Sequence, residues 1–344
     1  MNSDKVKLGM YTPFYPLEDI FKIGQIAEKY GFDSAWVGDH LAGFPKPDAY
    51  DAWTATALLA ERTKKIRIGV SVTDPHRRHP AVLAQTIATI DILSQGRLIP
   101  GIGAGEAMNL NPYGIDWSKP VEKMREFVIV MKKLWEAPHV TFEGRFYRLR
   151  NAVLIPRPAQ KPHPPVWIAS NAAKSLRVTA EVGDGWLPTT ETPESYQRKL
   201  KEIQRMAREY GRVEESVEPG LFLYSAISED YNEARTRIKE MMRLPLAWWS
   251  YKLKEIGLDI SLPGLDITKF EVTENKLRAV EEATANVPFE LIENITCFGT
   301  PEDFIKRVKQ YAKAGLRHVV FVPHGDYERT AQLIGRKVVP YFSK

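Results

Sequence analysis

Residues 6–40, VKLGMYTPFYPLEDIFKIGQIAEKYGFDSAWVGDH, carry the reading of the fold. Residues 6–11 are a short apolar run closed by Thr12-Pro13, the pattern of a buried strand. The period then changes: Ile20, Ile23, Ala27 and Tyr30 fall on one face of a helix that stops at Gly31. Residues 34–37 are strand-like again and end on a polar group, Gly38-Asp39-His40. Strand, helix and strand in succession imply a right-handed crossover and parallel pairing. An open, doubly wound nucleotide-binding sheet would place a glycine-rich turn after the first strand, where this chain has Tyr11-Thr12-Pro13-Phe14.

The same unit recurs outward from this stretch. Further strands are predicted at residues 66–72, 98–102, 166–169, 185–187, 221–227 and 318–323, and most are followed by an amphipathic helix. Proline opens two of the helices, at Pro80 and Pro120, and Thr300-Pro301-Glu302-Asp303 opens another with a capping hydroxyl, proline and acid. About eight such units favour closure into a single (β/α)8 TIM-type barrel over residues 1–344. Two segments break the rhythm. Residues 138–160 alternate around Glu143-Gly144 and are expected to form an inserted hairpin over one end of the barrel. Residues 244–294, opening with Pro245, Trp248, Trp249 and Tyr251, are expected to be short helical pieces covering a pocket.

Composition narrows the function classes. An apolar share of 44% with 26% charge belongs to a globular protein with a real core. The net charge of +5 is spread among 43 acidic residues instead of gathered into a stripe, which argues against nucleic acid and leaves a small anionic ligand or a mixed-charge surface. The single cysteine, Cys297, excludes an internal disulfide framework and a cysteine-cluster metal site. No apolar run is long enough to span a membrane and the first residues hold no signal-peptide core, so the expected location is cytoplasmic.

In a barrel the chemistry lies on the loops after the strands. Asp39-His40 follows the second strand; a histidine there titrates near neutrality and a neighbouring group can fix its tautomer, while the bland alternative is a helix cap. Gly101-Ile102-Gly103-Ala104-Gly105-Glu106 follows the fourth. Its glycines admit a ligand close to the backbone, and Glu106 with Asn109 could exchange or donate a proton beside it. Ser71 to Pro80, with Asp74, Arg77, Arg78 and two histidines, is either a phosphate grip or a solvated basic loop, and its spacing fits no familiar zinc motif. Gly183-Asp184-Gly185-Trp186 is expected to stop a helix and start a strand.

Taken together, Trp36-Val37-Gly38-Asp39-His40, Gly69 to Asp74 with Arg78-His79-Pro80, and Gly103 to Asn109 resemble the luciferase-like superfamily, in particular its coenzyme F420-dependent oxidoreductases. The resemblance spans nearly the whole chain, including residues 112–120 and 299–302. It implies a deazaflavin across the strand C-termini, with hydride exchanged at ring carbon C5, and a cis peptide with a bulge at Ser71-Val72 behind the ring. By position, Asp39 would bond the ring, His40 would face the substrate oxygen, and Glu106 would handle the nearby proton. Ser71, Val72, Asp74, Gly103, Ala104, Gly105, Glu106 and Asn109 would line the cofactor, Asn171, Ala172, Lys174 and Ser175 would meet its phosphate tail, and Phe44 and Thr189 would face the substrate. Phe44 stands where the dehydrogenases carry tryptophan, and Thr192 and Ile295 replace their sugar-phosphate lysine and arginine, which argues against glucose 6-phosphate. The implied reaction is hydride transfer to or from a methylene-tetrahydromethanopterin or a ketone/secondary alcohol, with an FMN-dependent monooxygenase or a non-catalytic binding protein of the same fold as alternatives. Relatives of this type form homodimers or higher homo-oligomers.

Overall fold

The computed structural model describes residues 5–14, 16–42, 49–248 and 287–343, with positions 273, 275, 278, 279, 282 and 284 between. Eight parallel strands close into a ring: β1 (Lys7–Tyr11), β2 (Ser34–Val37), β3 (Arg67–Thr73), β4 (Leu98–Ile102), β7 (Trp167–Ile168), β8 (Gly185–Trp186), β9 (Glu218–Ile227) and β11 (His318–Pro323). Closure is made twice over, by Lys7 opposite His318 between β1 and β11 and by Gly185 opposite Glu218 between β8 and β9. Every strand predicted from the sequence is present.

Around the ring run α1 (Leu17–Lys29), α2 (Ala52–Arg62), α3 (Pro80–Leu93), the short α4 (Ala107–Leu110), α5 (Pro120–Glu136), α6 (Ala173–Val182), α7 (Pro193–Glu209) and α8 (Tyr231–Trp248). They are followed by α9 (Phe289–Ile295), α10 (Pro301–Lys313), α11 (Tyr327–Lys337) and α12 (Val339–Phe342). Their starts are chemically marked. Thr300 caps α10 by accepting from the Asp303 amide while the Asp303 carboxylate accepts from Thr300, the reciprocal box the sequence predicts.

The barrel interior is filled, not hollow. Trp36 and Trp167 lie with ring centroids 5.3 Å apart, and glycines on neighbouring strands make the room. A Cβ on Gly69 would sit 2.2 Å from Trp36, and one on Gly185 or Gly220 2.4 or 2.3 Å from Trp167. This pairing of bulky and absent side chains is how a closed ring reaches native density. A second, larger core packs the outer strand faces against the helices, with Leu8, Ile68, Leu83 and Phe127 fully buried in it.

Three features depart from expectation. Cys297–Gly299 forms an extra strand, β10, paired in parallel with the end of β9. β9 outruns the two-residue β8, and β10 covers the backbone edge this would leave. The inserted hairpin, β5 (Val140–Glu143) with β6 (Arg148–Ala152), is antiparallel as predicted but lies along the flank of α5, not over an end of the barrel. Glu126 of α5 draws it there by accepting the backbone amides of Arg145, Phe146 and Tyr147 at 2.9, 2.8 and 2.6 Å. Finally, α8 runs on through Pro245, where the irregular insertion is expected to open. Buried Met242 and Leu246 on either side of the proline hold it against Ile292 and Ile295. Most of the 244–294 insertion, including Trp249, Tyr251 and Pro263, lies outside the described residues, as does Phe44.

Candidate functional site

The residues singled out from the sequence gather at one end of the barrel, where β1, β2, β3, β4, β7 and β8 end. The peptide between Ser71 and Val72 is cis, and the register between β3 and β4 shifts between Val70 and Thr73, so the bulge implied by the resemblance is present. β4 accommodates it with glycine: a Cβ on Gly101 would lie 2.2 Å from the Val70 carbonyl oxygen and one on Gly103 2.5 Å from Val72. Gly105 has φ +83°, and a Cβ there would crowd Asp74, Leu110 and His76 at 3.1, 3.2 and 3.3 Å, so the turn after β4 favours glycine for both conformation and space.

Asp39 is buried, 4% exposed, and its oxygens are engaged by protein groups. Thr73 Oγ1 donates to Oδ2, Arg77 Nη1 to Oδ1 at 3.0 Å and Arg78 Nη1 to Oδ2 at 3.4 Å; Arg77 Nη2 reaches the Asp39 carbonyl at 3.0 Å. Asp74 accepts the amides of His76 and Arg77 through Oδ1 and pairs with Arg77 Nε through Oδ2. Burial alone would make the Arg77 guanidinium more acidic, but the Asp39 and Asp74 carboxylates outweigh it and hold Arg77 more firmly protonated than usual. The basic loop is therefore neither solvated nor a free phosphate grip: Arg77 is spent on Asp39 and Asp74, and Arg78 reaches Asp39 and Asp51.

His40, Glu106 and Asn109 form one hydrogen-bonded group. Asn109 is 5% exposed; its Nδ2 donates to His40 Nδ1 at 2.8 Å and to Glu106 Oε2 at 3.2 Å, and its Oδ1 accepts from the amides of Leu41 and Ala42 at 3.2 and 3.3 Å. The expectation that Asn109 would donate to a ligand gives way to this internal role, since both its donor hydrogens are already in use. The Glu106 side chain is 49% exposed, and its Oε2 stands 3.9 Å from His40 Nδ1. His40 lines a cleft of ≈ 310 Å³ together with Asp39, Leu41, Arg77, Arg78 and Ile115. Phe14 stands edge-on to the His40 ring at 5.1 Å, and Tyr11, Phe222 and Tyr224 continue a chain of edge-on ring contacts. Burial first, then neighbouring phenol and carboxylate groups, keep the Tyr11 hydroxyl protonated far above its ordinary range.

The remaining predicted residues lie on the other side of the same opening. Asn171 donates from Nδ2 to the Thr189 carbonyl and to Glu191 Oε1, both at 2.8 Å, and so ties the loop after β7 to the loop after β8. Glu191, 1% exposed, also accepts from Lys199 and Ser195, a support that sequence reading missed because its partners lie on a different element. Thr189 bridges to Phe222 of β9, and its hydroxyl is buried without a partner among the described residues. Ala172 stands at the N-cap of α6 with no side-chain cap, Lys174 is exposed beside it, and Ser175 is buried with its hydroxyl turned back to the Ala172 carbonyl. A helix start with bare amides and an exposed lysine suits an anion. Thr192 caps α7 and Ile295 is buried in the second apolar cluster, so neither is placed as a sugar-phosphate grip.

Arg77 and Thr73 are the site residues whose part the sequence did not reveal. Their signal was only a basic loop and a strand end; the partner, Asp39, is distant in sequence.

Comparison with known proteins agrees with this geometry. A family model described as luciferase-like monooxygenase matches residues 4–318. The chain is 32% identical to a phthiodiolone/phenolphthiodiolone dimycocerosates ketoreductase of Mycobacterium tuberculosis, over 85% of this chain and 84% of the relative. It is 29% identical to a 5,10-methylenetetrahydromethanopterin reductase of Archaeoglobus fulgidus, over 95% and 96%. Its fold matches that of a coenzyme F420-dependent tetrahydromethanopterin reductase from Methanopyrus kandleri with a TM-score of 0.84 at 24% identity, over 98% and 99% of the two chains. No helix among the described residues is long and apolar enough to cross a membrane. With a cis bulge, a glycine turn and an acid–amide–imidazole group at the mouth of its barrel, the chain belongs to the luciferase-like monooxygenase family.

Proposed function

We propose that this protein is a coenzyme F420-dependent oxidoreductase that moves a hydride between the deazaflavin and a ketone/secondary alcohol pair. The observation that carries the reading is the hydrogen-bonded group of His40, Asn109 and Glu106, with His40 lining a cleft, on the loops after β2 and β4 that flank the strand carrying the cis Ser71-Val72 peptide. Two features of the residues present suit the cofactor: Gly101 and Gly103 leave room for the bulged Ser71-Val72 peptide that would back a flat ring, and the uncapped start of α6 with Lys174 would take an anionic tail. When bound, F420 supplies a ring carbon that gives and accepts hydride.

The chain's own residues would do the rest. A hydride delivered to a carbonyl carbon leaves negative charge on oxygen, and that oxygen needs a donor and then a proton. His40 at the cleft wall offers the first and half-exposed Glu106 the second. Asp39, paired with Arg77 and Arg78, positions the end of β2. A methylene-tetrahydropterin substrate is the second reading, favoured by the similarity to the Archaeoglobus reductase; there the same group would only position the substrate.

The test is titration with F420 and then a screen of ketones, secondary alcohols and methylene-tetrahydropterins, followed by the absorbance of the oxidised cofactor. Stoichiometric binding at micromolar cofactor and turnover with a ketone or alcohol are expected, and Glu106→Gln should lower kcat by about 10²-fold or more while binding F420 normally. Turnover with pterin alone moves the assignment to the second reading. No F420 binding, or FMN binding with oxygen uptake, overturns it.

A further inference from the structure

The hydrogen bonds around Asn109 determine more than its own position. The two groups donating to its Oδ1 are backbone amides, those of Leu41 and Ala42, which can only donate. That orients the side-chain amide without ambiguity, and a carboxylate oxygen of Glu106 on the opposite side, an acceptor when ionised, requires the same orientation. The atom facing His40 Nδ1 at 2.8 Å is therefore an N–H donor, so Nδ1 must offer its lone pair. The proton of a neutral His40 is then on Nε2, for which the described residues supply no acceptor, in a side chain that lines the cleft and is 25% exposed.

We propose that Asn109 is a positioning residue that locks His40 in the Nε2–H tautomer, so that neutral His40 meets the substrate as a hydrogen-bond donor and cannot serve as its base. Protonating His40 at Nδ1 would set two donors against each other and break the bond to Asn109; proton exchange is thereby directed to Glu106, which shares the same amide. The amide of Asn109 also ties the chain after His40 through residues 41 and 42, so one buried side chain on α4 fixes both the ring's tautomer and its backbone. The catalytic consequence rests on the oxidoreductase reading above; the tautomer does not.

The experiment is nitrogen NMR of protein labelled only at histidine, with His40 assigned by its absence in His40→Gln. The chain has 7 histidines, so the spectrum is tractable. Near neutral pH, His40 is expected to show an unprotonated Nδ1 and a protonated Nε2. In Asn109→Asp the new carboxylate still accepts from the two amides but presents an acceptor to the ring, and Nδ1 should become protonated. A wild-type His40 with its proton on Nδ1 overturns the proposal without any variant being needed, as does an unchanged nitrogen pattern in Asn109→Asp. The catalytic half is read from kcat, which should fall by about 10²-fold in Asn109→Asp, the scale of one lost transition-state donor, while F420 affinity holds. Unchanged kcat overturns that half. The NMR arm needs neither cofactor nor substrate, so its failure is separate from a failure to bind F420.

Discussion

Arg77 Nη1 lies 3.0 Å from Asp39 Oδ1, and the same guanidinium reaches Asp74, so one buried cation joins the end of β2 to the loop after β3. The side chains of Arg77 and Asp39 are 7% and 1% exposed, which places the pair where neither charge is hydrated. Removing the cation strands two carboxylates. Arg77→Met should lose about 3–5 kcal/mol in denaturant unfolding. Arg78→Met should lose about 1 kcal/mol or less, because Asp51, its strongest partner, is 46% exposed and screened by water. Equal losses in the two variants would contradict this account.

Glu126 anchors the inserted hairpin to α5, and Tyr147 carries that anchorage to the site, donating its hydroxyl to the Pro75 carbonyl at 2.9 Å. Glu126→Ala is expected to cost about 3 kcal/mol, since three amides lose a charged acceptor. Amide exchange should quicken at Arg145, Phe146 and Tyr147. Exchange unchanged at those three positions would show that the turn is held by something else.

Stability should fall in acid through histidines kept neutral by the fold. Burial lowers the affinity of His318 for a proton, despite Glu218 nearby, and burial with the Lys123 ammonium does the same for His76. The unfolded chain takes up these protons near the ordinary value of 6.5, so their contribution is complete above that pH and lost below it. Thermal midpoints measured from about pH 8 to about pH 5 should be level at first and then descend, with a shallower descent in His318→Gln. An acid-side slope identical to wild type in that variant would remove His318 from the explanation.

Self-association should use the outer face of α3. Asp91 is its one charged residue and is fully buried, whereas Val82, Ile92 and Leu93 are 56%, 44% and 44% exposed, and Leu58 of the adjoining α2 is 41% exposed. Such a face is expected to bury against a second copy. Sedimentation should give a dimer or larger assembly, and Val82→Lys with Leu93→Lys should give monomers that remain folded; a wild-type monomer would refute the expectation.

Much of the barrel was legible because its signals are local. The change of period around residues 11–17, proline at helix starts and glycine at helix ends each report on a few neighbouring residues. The hairpin's location, the continuation of α8 through Pro245 and the strand at Cys297–Gly299 were not legible, because each is decided by a distant partner: Glu126, the apolar contacts of Met242 and Leu246, and the exposed edge of β9.

The sequence by itself determined the eight parallel strands, the turn after β4 that favours glycine, and the presence of Asp39, His40, Glu106 and Asn109 after strands. Only the tertiary structure decided what those residues do to one another. Whether a carboxylate is a proton carrier or a buried counter-ion, and which imidazole nitrogen holds the proton, depend on groups brought within about 3 Å by chain closure. Asp39 met Arg77 and Arg78, and His40 met Asn109. Hydrogen bonds are too short in range, and the partners too far apart along the chain, for a linear pattern to record them.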